Sequence, residues 1–254
     1  MTCEPSEPVP VPASAVPPPS RRCPFDRPLA GALVALMAGM ALAGRAGGGL
    51  GERSAWQSLA LALLPMQVCA VGTFVALLRR ERAGRPWGAL LGWRAPAGLT
   101  TRQLLCRLGL EWLTLLAVTL LISQAVMWGA RALGVELEAQ HVVRLLQASG
   151  SPSLVALATL SATVLAPLSE ELLFRRGLHG VLAWRLPARL ATPLTALCFA
   201  LLHGQLHTVP TLVAIGLALQ WVCQREGLRQ AILLHAAYNA SQLLLLALTV
   251  LAEP

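Results

Sequence analysis

Six stretches of this chain, 17 to 35 residues long, contain no Asp, Glu, Lys or Arg: residues 28–44, 54–78, 112–130, 145–169, 190–224 and 230–252. The hydrocarbon core of a bilayer is about 30 Å thick and is crossed by about 20 apolar residues in an α-helix. Backbone facing lipid must satisfy its own hydrogen bonds, which leaves helices or closed barrels. Barrel strands would alternate polar and apolar residues, and these runs are solidly apolar. The expectation is therefore an all-α, polytopic transmembrane bundle of about seven to eight helices. The 190–224 run is long enough for two passes, broken between His203-Gly204 and Pro210, which brings the count to about seven.

Charge supports this reading and orients it. Of the 254 residues, 56% are hydrophobic and 13% are charged, against about 25% charged in an ordinary soluble domain. All 20 basic residues are arginines, and the net charge is +8. Such a balance can indicate nucleic acid, but here the arginines fill short connections between apolar runs. Arg79, Arg80, Arg82, Arg85, Arg94, Arg102 and Arg107 lie between the second and third passes, the pattern of a cytoplasmic loop. Arg21, Arg22 and Arg27 put the N-terminus on the same side. The expected partner is membrane lipid, not nucleic acid. The six cysteines show no CxxC pair and read as small buried hydrophobes.

Three regions follow. Residues 1–27 hold eight prolines and read as a disordered cytoplasmic tail. Residues 28–144 read as transmembrane scaffold helices, with Glu111 expected to pair with Arg107 one turn earlier. Residues 145–254 read as a catalytic core, opened by Ser151 as a capping residue and Pro152 in the first helical turn.

Within that core, ionisable and hydrogen-bonding side chains are few, and in a membrane span such groups normally face a cavity and a partner. In SEELLFRRG, Glu171 and Arg175 stand four apart on one helical face, in the order that favours pairing. Glu170 is rotated about 100° away by the helical period and stays free of that pair. Alone, this stretch also reads as a helix start at the interface. Phe199 and His203 share a face in CFALLH, and His207 follows four residues on. His235 and Asn239 share another face in HAAYN. Burying any of these groups is costly unless the others complete its hydrogen bonds, so the three segments are expected to converge.

Glu-Glu-x-x-x-Arg at Glu170, Glu171 and Arg175, then Phe-x-x-x-His at Phe199 and His203, then His-x-x-x-Asn at His235 and Asn239, resemble the CPBP family of CAAX-protease and bacteriocin-processing intramembrane glutamic endopeptidases (the ABI family). The resemblance spans roughly residues 150–245. It implies that Glu170 with His203 activates a water, that His235 with Asn239 steadies the oxyanion, and that Glu171, Arg175, Phe199 and His207 support them, without metal or other cofactor. It departs from the family at His207, where an asparagine is frequent, and in having about seven passes rather than eight. A tilted helix over residues 170–184 is the expected eighth element. The arginines Arg175, Arg176, Arg185 and Arg189 put the active end on the cytoplasmic side of a bacterial cell membrane. Two other readings share these residues. One is a zinc-dependent metalloprotease using His203, His207, Glu170, Glu171 and His235, although HExxH is absent. The other is a non-proteolytic scaffold, immunity protein or transporter that keeps the cluster for packing or ligand binding. The only aspartate is Asp26, in the tail, which argues against a Ser-His-Asp triad.

Overall fold

The computed structural model describes residues 23, 25–35, 55–81, 84–93, 98–137, 152–203 and 205–252, and among them every regular element is helical. Among the described residues eight helices follow one another: α1 (residues 26–35), α2 (Ala55–Glu81), α3 (Trp87–Leu91), α4 (Thr101–Ala132), α5 (residues 152–185), α6 (Ala188–Leu201), α7 (Val209–Glu226) and α8 (Leu228–Ala252). Among the described residues, four segments are long and apolar enough to cross a membrane: Thr101–Ala132, Val155–Arg185, Leu206–Glu226 and Leu228–Leu248. The chain is an all-α membrane protein. α4 shows how the apolar runs are used. Only 11% of its most apolar window is buried, leaving Leu110, Leu113, Leu120 and Leu121 on the outside, where hydrocarbon replaces a protein core.

The arginine-rich connections gather at one end. Arg27 of α1 pairs with Glu81 at the end of α2 (3.8 Å), and Arg185 at the end of α5 pairs with Asp26 at the start of α1 (3.3 Å). Arg176 of α5 donates to the carbonyl of Leu90 in α3 and lies 5.4 Å over the Phe25 ring. Gly92 closes α3 at φ 63°, and a Cβ there would stand 3.1 Å from the Arg176 guanidinium. Arg107 near the start of α4 pairs with Glu226 at the end of α7 (3.6 Å), and the Leu228 N–H at the start of α8 donates to the Gly92 carbonyl. Starts of α1, α4 and α8 therefore meet ends of α2, α5 and α7, the arrangement the positive-inside reading requires.

Several expectations change. Residues 170–184 are not a separate helix. α5 runs through them, and Glu170 is the central residue of the 31-residue span Val155–Arg185, so the acidic motif lies mid-helix and not where the chain leaves the bundle. The eighth element is the short α3. Glu111 does not take Arg107: that guanidinium reaches Glu226, and Glu111 Oε2 is buried without a hydrogen-bond partner. Cys106 is exposed, whereas Cys23 is buried. The break expected in 190–224 is present as a 3₁₀ turn, Leu206–Thr208, between α6 and α7. The proline-rich tail up to Arg22, the connection at 139–150 and Ser151 lie outside the described residues. Cys23 packs with its Sγ 3.8 Å from the Gly180 carbonyl.

Packing around the motif is tight. Phe74 and Leu78 of α2, Phe174 of α5, Phe199 of α6, Leu219 and Val222 of α7 and Leu234 of α8 form one buried cluster. Polar bonds stitch neighbouring helices: Ser161 to Gln67, Trp112 to Ser241, Ser123 with Thr211, a common device where lipid removes the hydrophobic drive between helices. α6 and α7 approach closely at Gly216, where a Cβ would lie 3.0 Å from both Cα and Cβ of Ala196. Gly216→Val is expected to force these helices apart and to destabilise the protein by about 1–3 kcal/mol. Thermal unfolding of the purified protein in detergent measures it, and an unchanged midpoint would contradict the contact.

Candidate active site

The polar residues singled out in the sequence sit on three helices. α5 supplies Glu170, Glu171 and Arg175; the end of α6 supplies Phe199 and His203; α8 supplies His235 and Asn239. Glu171 is wholly buried and takes two hydrogen bonds from Arg175, Nε to Oε2 at 2.8 Å and Nη2 to Oε1 at 3.2 Å. This is a fork-on-fork pair within one helix, the strong form of a charged hydrogen bond. His235, also buried, donates from Nδ1 to Glu171 Oε1 at 3.2 Å. Its other nitrogen, Nε2, stands 3.8 Å from Glu170 Oε2. Glu171 is thus consumed by two partners, while Glu170, whose side chain is 27% exposed, faces one imidazole and open space.

Phe199 holds these groups in register. Its ring meets Phe174 (5.2 Å between centroids), His203 (4.9 Å) and His235 (6.0 Å), each edge to face, and the Arg175 guanidinium lies 5.4 Å over it. His203 donates from Nδ1 to the Phe199 carbonyl at 2.9 Å. Because a carbonyl can only accept, Nδ1 carries the proton there, and Nε2 is the nitrogen left to work. The His203 residue is exposed, so it stands at the mouth of the cluster while His235 forms its floor.

The helix that carries the carboxylates is not regular. Two π-helical stretches, Ser161–Leu165 and Leu172–Leu178, flank the α-helical turn Ala166–Glu171. Such turns are rare and often mark functional sites. The first has a cause in the sequence. Ala166 N–H donates to the carbonyl of Ser161, five residues back. The next donor in that register would be residue 167, but Pro167 has no N–H. The Ala162 carbonyl is left for a side chain, and Asn239 Nδ2 donates to it at 2.9 Å. One proline thereby opens the helix, and the orphaned carbonyl draws α8 against α5.

The structure brings together Glu170, Glu171, Arg175, Phe199 and His235, places His203 beside them through Phe199, and ties Asn239 to α5. Glu170 meets His235 rather than His203. His207 lies in the 3₁₀ turn, and no contact among the described residues joins it to the cluster. Nor do three His, Cys, Asp or Glu side chains gather there as a metal-binding group among the described residues. Sequence reasoning missed Ala162 and Pro167; the available signal was a proline three residues before the acidic pair, in a run with no turn residue to end the helix.

Residues 152–241 match the model of the type II CAAX prenyl endopeptidase Rce1-like family. The match covers the three helices that carry the cluster and supports membership of the CPBP and CAAX-protease family, a family of membrane endopeptidases. No curated protein and no solved structure matches the chain.

Two stability differences follow from this geometry. Glu171→Ala leaves Arg175 buried without its counter-ion and is expected to cost about 3–5 kcal/mol, whereas Glu170→Gln is expected to cost less than about 1 kcal/mol. Asn239→Ala should cost about 1–3 kcal/mol by stranding the Ala162 carbonyl. Adding Pro167→Ala, which restores a backbone donor, should recover part of that loss. A double-mutant cycle on thermal unfolding measures the coupling, and strict additivity would show that Pro167 and Asn239 act independently.

Proposed function

We propose that this chain is a multi-pass cell-membrane endopeptidase that hydrolyses a peptide bond of a membrane-associated or lipidated peptide or protein, with a glutamate and an imidazole activating water. The observation that carries this reading is the division of labour between the adjacent carboxylates. Glu171 is neutralised by Arg175 and hydrogen-bonded by His235, and Glu170 is left beside the outer nitrogen of His235 with its side chain 27% exposed. Amide hydrolysis needs a base for water, an acid for the leaving amine and donors for the tetrahedral oxygen.

Glu170 takes the proton of the attacking water as its oxygen bonds to the scissile carbonyl carbon. His203, with Nε2 free at the mouth, assists that transfer and handles the proton needed by the amine when the C–N bond breaks. His235 is held through Nδ1 by Glu171, so its Nε2 is the nitrogen turned towards the reacting groups. Asn239 spends one amide N–H on Ala162 and keeps its second donor for the oxyanion, joined by His235 in its doubly protonated form, the one form in which Nε2 also carries a proton while Nδ1 donates to Glu171. Arg175 and Phe199 do not touch the substrate; they fix Glu171, His203 and His235 relative to one another.

Glu170→Gln and His203→Ala are each expected to lower peptide cleavage by about 10²-fold or more while the protein stays folded. Comparing the membrane peptidomes of cells that make the wild-type chain with those that make Glu170→Gln finds the substrate. A peptide so identified then serves in assays with purified protein. Near-normal cleavage by both variants would overturn the assignment, and activity lost to a chelator and restored by zinc would replace it with a metalloprotease.

A further inference from the structure

The arginine-rich end of the bundle carries a second polar feature, whose lining residues are distinct from those of the cluster. The start of α1, the end of α2 and the end of α5 enclose a cleft of about 910 Å³, within the size range of small-ligand sites. Its walls include Arg27, Arg80, Arg185, Asp26, Glu81 and Trp184. Three guanidiniums thus face two carboxylates. Both carboxylates are taken, Glu81 by Arg27 at 3.8 Å and Asp26 by Arg185 at 3.3 Å. Arg80 is exposed and has no carboxylate partner among the described residues. The paired arginines are themselves more than half exposed, and each guanidinium carries five N–H donors, so most of their donors also remain open to the cleft or to solvent.

The chemistry of this wall selects its ligand. A net positive cleft lined by forked donors fits the oxygens of a phosphate group better than a neutral headgroup, because arginine binds such oxygens in pairs. The cleft is also amphipathic. Leu77, one turn before the end of α2, forms part of its wall, and Trp184 is 51% exposed with the Arg185 guanidinium 5.7 Å over its ring. Tryptophan and arginine together mark the level at which headgroups lie. We propose that this cleft binds a phosphate-bearing anion, held by Arg80 with Arg27 and Arg185, and that its source is the headgroup of an anionic phospholipid in the leaflet at the arginine-rich end. Occupancy would tie the start of α1 to the end of the helix that carries Glu170.

The test uses the full chain in nanodiscs of phosphatidylcholine with and without phosphatidylglycerol, reading retained lipid by native mass spectrometry and the unfolding midpoint by heating. Wild type is expected to retain phosphatidylglycerol over phosphatidylcholine and to unfold at a higher temperature when it is present. Arg80→Gln is expected to weaken that retention by about tenfold while leaving the midpoint in phosphatidylcholine alone unchanged. Arg79→Gln, a neighbouring exposed arginine outside the cleft, is the control and should retain the lipid as wild type does. Equal losses in the two variants would reduce the effect to general surface charge and overturn the site, as would undiminished retention in Arg80→Gln. In a separate arm, inorganic phosphate or glycerol phosphate is added to protein in neutral detergent. Protection by these at concentrations that abolish lipid retention would keep the phosphate site and overturn the lipid as its source. None of these readings requires proteolysis, so they stand or fall apart from the catalytic assignment.

Discussion

A carboxylate and a guanidinium buried in the middle of a membrane span are the constraint around which the rest of this fold is arranged. Removing Glu171 and Arg175 from water carries a penalty of several kcal/mol per ion, and their attraction offsets it only where geometry is close to ideal and the remaining donors and acceptors are satisfied. Here the pairing is bidentate, within one helix, and His235 from another completes the carboxylate side, while Arg175 Nη1 stays buried without a hydrogen-bond partner. The aromatic faces around it do the remaining work. Phe199 receives the Arg175 guanidinium on its ring and presents its edges or face to Phe174, His203 and His235. A single phenylalanine thus relates the cation to both imidazoles.

The second constraint is backbone, not side chain. A regular α-helix leaves no free carbonyl in its interior, so it offers a crossing helix nothing polar to hold. Pro167 removes one donor inside α5, the helix widens at Ser161–Leu165, and the Ala162 carbonyl becomes available to Asn239. Hydrocarbon gives helices no hydrophobic reason to choose one neighbour over another, so interhelical hydrogen bonds can set which faces meet. α8 is fixed against α5 twice, through His235 to Glu171 and through Asn239 to Ala162, one turn apart on the same face. Two attachments at that spacing specify rotation as well as contact, and rotation is what turns His235 Nε2 towards Glu170.

How much of this could be read from residue order depends on the distance over which each interaction acts. The pairings within one helical turn were legible: Glu171 with Arg175 and Phe199 with His203 follow from a 3.6-residue period. So did the convergence of three segments, because buried polar groups need partners. The course of α5 was not legible, since a proline followed by two acids looks like an interface when every other apolar run ends near charge. Only the packing of Glu171 against Arg175 and His235 makes a mid-helix position tolerable, and that packing is tertiary. Arg107 illustrates the same limit. Its local partner Glu111 and its distant partner Glu226 are both carboxylates, and the choice between them is made by how α4 crosses the turn between α7 and α8. Gly227, at φ 97°, makes that turn in one residue, which brings Glu226 to the start of α4.

The two buried carboxylate groups therefore differ in kind, and the difference argues for where chemistry belongs. At the arginine-rich end, Glu226 has an ion pair at 3.6 Å without a hydrogen bond, and Glu111 Oε2 is unpaired. These groups hold helix ends loosely, with Glu111 Oε2 and Glu226 Oε1 buried and without hydrogen bonds. In the centre of α5, Glu171 is held at 2.8 and 3.2 Å with no exposure. Its full satisfaction is what permits an adjacent, unsatisfied Glu170 to exist there. Without a neutralised neighbour, two carboxylates side by side in a low-dielectric span would repel one another and share a proton. With it, one of them can remain beside an imidazole and partly exposed, which is the condition that the proposed base acting on water has to meet.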